Sequence, residues 1–286
     1  MSKIGLVLEG GGMRGAYTAG ALSWLIDHGI EFDYGVGISS GAVHLCSYLL
    51  KDKKLLYDIS VIHMTAKANV GIQAFLREGR YVAYDYIFDE ILYKNLKYDI
   101  KPLVESDKYF EMGIYDCELG DAYFLGKEAL DEKLQFLKAT CSLPIAGKIV
   151  EYNGKKYLDG GIKYMIPIHR SVEVGCDKHF IISTKKKDYI RKPANLFMRN
   201  LMKMNFPKYP KISEDYNIRH IRYHEQVDLS EELEAQGKAF FLRPSIEYPV
   251  KRFSGDTENL KKTFQLGIDD MEANKEEILK FLGRSK

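Results

Sequence analysis

Residues Gly37-Ile38-Ser39-Ser40-Gly41 form a G-x-S-x-G pattern. The pattern encodes a nucleophile elbow, in which a serine sits on a sharp turn between a strand end and a helix start with its hydroxyl pushed outward. The flanking positions, Gly37 and Gly41, cannot carry bulk there without striking the neighbouring strand or helix. A serine held this way can attack an ester carbonyl. Its surroundings fit, because Asp33 to Ile38 is a short apolar strand and Ala42 to Leu50 a helix carrying Val43, Leu45, Cys46, Leu49 and Leu50. Short motifs also recur by chance, so the elbow gains weight only from the groups that would have to assist it.

The first such group is a glycine loop. Lys3 to Glu9 is a buried strand that runs into Gly10-Gly11-Gly12-Met13-Arg14-Gly15. A helix follows from Ala16 to His28, with Ala21, Leu22, Leu25 and Ile26 as its apolar stripe. Strand, glycine loop and helix together gather free backbone N–H groups at a positive helix end, where negative charge is stabilised. A tetrahedral oxyanion formed by Ser39 needs such donors, and losing one typically costs on the order of 10² to 10³ in rate. Gly10, Gly12 and Gly15 also match G-x-G-x-x-G, the dinucleotide fingerprint. That reading wants an acidic residue at the far end of the second strand, but Glu31 and Asp33 precede the strand and Ser39 occupies its end. A phosphate-binding loop fails as well, since Ala16-Tyr17 follows Gly15 in place of Lys and Ser or Thr.

The second group is an aspartate. Ile149 to Leu158 reads as a hairpin turning at Asn153-Gly154, and its second arm delivers Asp159 with Gly160 and Gly161 behind it. An aspartate there can take the proton from Ser39 directly, although Asp-Gly-Gly alone is more often just a turn.

In this order, Glu9 to Gly15, Gly37 to Gly41 and Asp159-Gly160-Gly161 resemble the patatin-like phospholipase family. Ala139-Thr140-Cys141-Ser142-Leu143-Pro144 is similar to the family's Ala-Ser-x-x-x-Pro segment shortly before its Asp-Gly-Gly/Ala box. The resemblance covers about residues 4 to 170. It implies a three-layer α/β/α sandwich with a mostly parallel central sheet, and a Ser–Asp dyad hydrolase acting on acyl esters of lipids without metal or cofactor. Ser39 would be the nucleophile, Asp159 the general base, and the amides of Gly10, Gly11 and Gly12 the oxyanion hole. Met13, Arg14 and Gly15 would form the supporting loop, with Arg14 shaping it or meeting a lipid phosphate. Two positions depart from the family. Glu9 stands where plant members carry Asp, which should matter little at a strand end, and Thr18 where many bacterial members carry His, which could reshape the pocket.

A dyad has no imidazole relay, so a carboxylate with an ordinary pKa near 3.9 would be a weak base. The site would have to desolvate Asp159 and raise that value. The competing mechanism is a Ser-Asp-His triad, for which His169, His179, His220 and His224 follow Asp159. None sits in a glycine-punctuated turn; His179 reads as a strand residue, and His220 and His224 as solvated.

Composition sets the frame. A chain of 286 residues, 45% hydrophobic, can bury a large core, and strand–helix alternation at its start argues for an α/β sandwich. A net charge of +2 carries no global basic bias of the nucleic-acid-binding kind. Cys46, Cys117, Cys141 and Cys176 show no paired spacing, so neither a zinc site nor a disulfide framework is expected. No apolar run is long enough to span a membrane and no signal-peptide pattern opens the chain, which points to the cytoplasm. The expected organisation is a catalytic domain over residues 4–172 and a helical C-terminal extension over 173–286 that completes the fold.

Within the extension, residues 185–222 hold eleven basic against three acidic residues, a net +8. Asn195 to Phe206 reads there as a basic amphipathic helix. It could rest on an anionic bilayer as a peripheral contact or lid, but an ordinary surface helix with its apolar face on the core is preferred. Asp256 to Leu282 reads as one or two closing amphipathic helices. Two other readings stay open: a non-catalytic lipid or nucleotide binder, and a hydrolase of thioesters or small esters. Head group, acyl length and oligomeric state are not written in the motifs.

Overall fold

The computed structural model of the protein describes residues 2–65 and 69–284. In β1 (Ile4–Leu8) the apolar residues alternate between two cores, Leu6 and Leu8 entering one and Val7 the other. A strand loaded on both faces has to be covered by helices on both sides. The same division recurs in β7 (Lys178–Ile182), where Phe180 and Ile182 lie on the first side and Ile181 on the second.

The sheet runs β5 (Val150–Tyr152), β6 (Lys155–Asp159), β3 (Phe110–Asp116), β2 (Tyr34–Ile38), β1, β7, β8 (Ala239–Leu242), with β4 (Asp121–Leu125) also on β3. Its centre, β3–β2–β1–β7–β8, is parallel, and β4, β5 and β6 are antiparallel. β3 pairs with β2 over Phe110–Gly113 and with β6 over Ile114–Asp116, which brings the end of β6 beside the end of β2.

One face carries α1 (Gly15–Asp27), α2 (Ser40–Leu49), α3 (Lys53–Tyr57), α6 (Gln135–Cys141), α11 (Thr257–Ala273) and α12 (Lys275–Phe281). The connection from α2 to β3 holds α4 (Ile72–Glu78), α5 (Lys101–Glu105) and two wide i→i+5 turns, Asp58–Ile62 and Tyr86–Asn95. The other face carries α7 (Ile168–Glu173), α8 (Leu196–Asn205), α9 (Pro210–Asn217) and α10 (Arg219–Ala235). The fold is therefore the expected α/β sandwich of three layers. α1 and α11 pack backbone to backbone: a Cβ on Gly20 would lie 1.9 Å from the Phe264 carbonyl oxygen, and one on Gly267 would lie 2.2 Å from that of Tyr17. The buried Tyr17 hydroxyl adds a 2.9 Å hydrogen bond to Asp270.

The hairpin turns at Asn153 (φ 47°) and Gly154 (φ 74°), with Tyr152 opposite Lys155, as the Asn-Gly pair predicts. The C-terminal region is not purely helical, since Ala239–Leu242 forms strand β8 and extends the parallel sheet. In α8, Met202 packs on the core, whereas Leu196, Phe197 and Met204 are 76%, 72% and 77% exposed, so its apolar face is only partly turned inward. Among the described residues no helix is long and apolar enough to cross a membrane.

Candidate active site

Ser39 links β2 to α2 with φ 56° and ψ −128°, a conformation costing about 1–3 kcal/mol that persists only where its surroundings impose it. Gly37 and Gly41 make the imposition workable. A Cβ on Gly37 would come 2.6 Å from the Gly41 carbonyl oxygen, and one on Gly41 would come 2.8 Å from that of Leu8. The turn is fixed from inside, the Ser39 carbonyl accepting the Ala42 N–H at 2.9 Å. Ser39 itself is 8% exposed.

Asp159 ends β6 and is buried. Its position comes from two neighbours: its N–H donates to the Ser142 carbonyl at 2.8 Å, and its Oδ1 accepts the Gly161 N–H at 2.6 Å. Among the described residues Oδ2 has no partner of full hydrogen-bond geometry, and the Ser39 hydroxyl is a donor near enough to stabilise the carboxylate. Burial raises the Asp159 pKa. The Ser39 hydroxyl, the Gly161 amide and the charges of Arg219 and Arg252 oppose that rise without cancelling it. Gly160 and Gly161 open the short turn that follows. The segment before the hairpin also braces the site, the Thr140 hydroxyl donating to the Gly113 carbonyl at 2.5 Å. Cys141, beside Ser39, keeps its proton because burial pushes the thiol well up.

The glycine loop arrives beside the elbow, but its amides differ in availability. Gly10 N–H donates to the Met165 carbonyl at 3.2 Å, and Gly11 N–H donates to Ser40 Oγ at 3.0 Å. Gly12, at φ 59°, is the member of the trio whose amide has no acceptor among the described residues. The next amide, Met13 N–H, donates to the Arg252 carbonyl at 3.0 Å. Gly15 starts α1 against the ring of His44. Arg14 is half-buried and its Nε has no partner among the described residues.

Four residues here, Ser40, His44, Arg219 and Arg252, escaped the sequence reading. Ser40 ties the loop to the elbow. His44, whose Nε2 lies 3.0 Å from Ser60 Oγ, backs Gly15 and lines the cavity; burial pulls its pKa down to about 4, so the ring is neutral. Arg219 donates through Nε to the Gly161 carbonyl. Glu9, whose difference from the family's Asp was expected to matter little, is an anchor: fully buried, it accepts from Ser183 Oγ and Thr184 N–H, both at 2.6 Å, and pairs with Lys185 at 3.2 Å. Lys185 and these donors hold its carboxyl below the usual range against the burial that would raise it. Its partners lie more than 170 positions away, beyond any local signal. The four histidines of a triad line neither cavity at Ser39. His179 bonds Ser171 at 2.8 Å near the start of β7, and His220 and His224 are half-buried on α10, not solvated.

Ser39 faces two spaces of opposite character. On one side is a narrow apolar cavity of about 80 Å³, walled by Val43, Ile59, Val82, Ile87, Phe88 and Leu143. Ile59, Ile87 and Phe88 belong to the two wide turns, a helix form common at functional sites. On the other is a small polar pocket of about 10 Å³ containing Asp159, Gly10 to Gly12, Arg219 and Arg252. A hydroxyl beside a desolvated carboxylate, with an apolar slot within reach, can undertake acyl transfer from an ester with a hydrocarbon acyl group.

Residues 6–112 match the family described as patatin-like phospholipase, and residues 209–283 match a domain of unknown function, DUF6363. The chain is similar to the Escherichia coli (strain K12) protein YjjU, 27% identical over 187 residues, which are 64% of this chain and 52% of that protein. It thus spans about half the length of that relative. It is also 26% identical over 244 residues to "probable lipid hydrolase 463L" of Invertebrate iridescent virus 6, covering 80% of each chain. A crystal structure of VipD from Legionella pneumophila aligns with a TM-score of 0.44 at 9% identity, over 95% of this chain and 66% of that one. With its glycine loop, elbow and Asp-Gly-Gly turn in the order that family carries them, the chain is similar to the patatin-like phospholipase family, whose model matches residues 6–112.

Proposed function

We propose that this protein is a serine acyl hydrolase that cleaves carboxylic esters of lipids, with Ser39 as nucleophile and Asp159 as general base. Residues 4–172 would carry the dyad and residues 173–286 complete the fold around it. The observation that carries the reading is Ser39 at positive φ, between a buried carboxylate of raised pKa and an apolar cavity. The acyl chain enters the cavity and presents its carbonyl to Ser39. Asp159 takes the hydroxyl proton as Oγ adds to the carbonyl carbon. The oxyanion turns to the Gly12 N–H and to the N–H of Ser40, the residue after the nucleophile in an elbow. Asp159 then returns the proton to the departing alcohol, leaving an acyl-enzyme that water hydrolyses by the same steps. The exposed apolar residues of α8, with Arg199 and Lys203 beside them, would rest on an anionic bilayer and bring Ser39 to lipid.

The test is hydrolysis of p-nitrophenyl esters of increasing chain length. Turnover that rises with acyl length and then stops at a limit set by the cavity supports the reading; no turnover, even with lipid vesicles, sinks it.

The raised pKa of Asp159 fixes the pH dependence. The base works only as carboxylate, so kcat/KM should be level above that pKa and fall about tenfold per pH unit below it. Arg252→Gln removes a positive charge that favours the carboxylate, which raises the Asp159 pKa further. The acid limb should therefore move to higher pH in a pH–rate profile; an unmoved limb would mean that another group titrates.

A further inference from the structure

The helix α4, between α2 and β3, wears its apolar side chains on the outside. Ile72, Phe75 and Leu76 are spaced i, i+3, i+4 and so share one face, yet they are 81%, 61% and 79% exposed. Ala74 is the buried residue of the helix. Tyr81, which follows α4, is exposed as well. Grouped apolar exposure of this kind marks a surface that meets something other than water.

This helix is the tip of a flap rooted in the acyl cavity. Val70 and Val82 pair across the base of the flap as an antiparallel bridge, and both wall the cavity at Ser39. The Gly71 N–H donates to the Tyr81 carbonyl there at 2.8 Å. Tyr81 sets its ring edge-on to Phe253, another wall residue, with centroids 5.5 Å apart. Gly71 (φ 84°) and Gly79 (φ 67°) bound α4, and a Cβ at either would meet nothing within 4 Å, so neither end of the helix is packed at its glycine.

Charge and capacity name the occupant. Glu78, the acid of the flap, turns inward and accepts the N–H groups of Asp85 and Tyr86 at 3.2 and 2.8 Å. Arg77 lies over the Tyr86 ring at 3.8 Å and Arg80 reaches the Gly79 carbonyl, so neither is paired with a carboxylate among the described residues. The apolar face is thus flanked by unpaired cations. The cavity, at about 80 Å³, has room for roughly six groups the size of a water molecule. It holds a short acyl group whole, whereas the chain of a membrane lipid has to continue past the base of the flap. An anionic bilayer answers both, with head groups for the arginines and an acyl layer for the apolar face.

We infer that residues 70–82 form a lipid-docking flap: α4 lays Ile72, Phe75 and Leu76 into the acyl layer of an anionic bilayer, and the flap admits a long acyl chain to the cavity at Ser39. The passage of the chain rests on the acyl-hydrolase reading; the docking does not.

Three measurements on the full chain test this, with vesicles of phosphatidylcholine and phosphatidylglycerol. Leu76→Cys takes an environment-sensitive fluorophore at position 76, since the four native cysteines are buried. Its emission should rise and shift to the blue when vesicles are added; unchanged emission overturns the docking. Phe75→Asp with Leu76→Asp should lower the fraction that sediments with the vesicles by about tenfold or more, and equal sedimentation overturns it too. The same double variant should release fatty acid from the vesicles about tenfold more slowly while p-nitrophenyl butyrate, a soluble short ester, is turned over as by the wild type. An equal fall in both assays overturns the flap's part in admitting the chain. If the wild type turns over no ester, the fluorophore and the sedimentation still decide, and the hydrolase reading alone fails. A dimer in sedimentation velocity without vesicles that the double variant dissociates also overturns the inference, because a second copy would then cover the face.

Discussion

Ser39→Ala should lower kcat/KM toward any acyl ester by about 10⁴-fold or more, the scale seen when a nucleophile acting as part of a unit is removed. No neighbour can take over. The Ser40 hydroxyl is held by the Gly11 amide, and the Cys141 thiol, beside Ser39, is kept protonated by burial. Asp159→Asn should cost about 10² to 10⁴, the range of a general base. Its effect on folding should run the other way. Burial raises the Asp159 pKa, so above the ordinary carboxylate range the folded state bears the cost of holding that group ionised. An asparagine removes the cost and keeps an oxygen for the Gly161 N–H. At pH 7 the variant should melt no lower than the wild type while losing activity, a separation of stability from function that thermal denaturation and ester kinetics would read side by side. Ester turnover that survives Ser39→Ala would refute the dyad.

Gly20→Val should destabilise the fold by about 3 kcal/mol or more, measured by urea denaturation. Helix propensity alone predicts the opposite, since glycine within a helix is less stable than most replacements by roughly 0.5–1 kcal/mol. The tertiary contact decides the sign. Gly20 lies in α1 where the Phe264 carbonyl oxygen of α11 leaves 1.9 Å for a Cβ, and backbone cannot yield as a side-chain tip can. Gly267→Val meets α1 from the other side with 2.2 Å to the Tyr17 carbonyl oxygen. The two substitutions separate the same pair of helices, so the double variant should lose less than the two losses added.

These two sites mark what the sequence makes legible and what it hides. The elbow, the glycine loop and the hairpin that delivers Asp159 are local devices, each needing particular residues within a few positions of one another, and the structure brings them to one point. Gly20 and Gly267 carry no local sign of their purpose, since each is small because of a helix nearly 250 positions away in the chain. The anchoring of Glu9 was hidden for the same reason, its partners being Ser183, Thr184 and Lys185. Arg219 and Arg252 were lost in a charged background where one arginine reads like the next; burial sets Arg219 apart, and Arg252 is marked only by its place at the pocket. β8 is four residues long, too short for periodicity to separate a strand from the edge of a helix.

The closing of the Arg252 carbonyl on Met13, and of β7 and Glu9 on each other, has a consequence for the order in which the protein is made. A nascent chain that has emerged through Gly161 already holds Ser39 and Asp159. It lacks β7, the strand beside β1, and the groups that fix the end of β1 and the glycine loop. On the proposed reading, Ser39 is translated early and its site is assembled late, so a growing chain would not hydrolyse lipid before its release. Ribosome-bound chains of increasing length, probed with a serine-reactive fluorophosphonate, should label at Ser39 only once Arg252 has cleared the exit tunnel. Labelling of chains that stop before Lys178 would show instead that the elbow and the hairpin suffice to build the site.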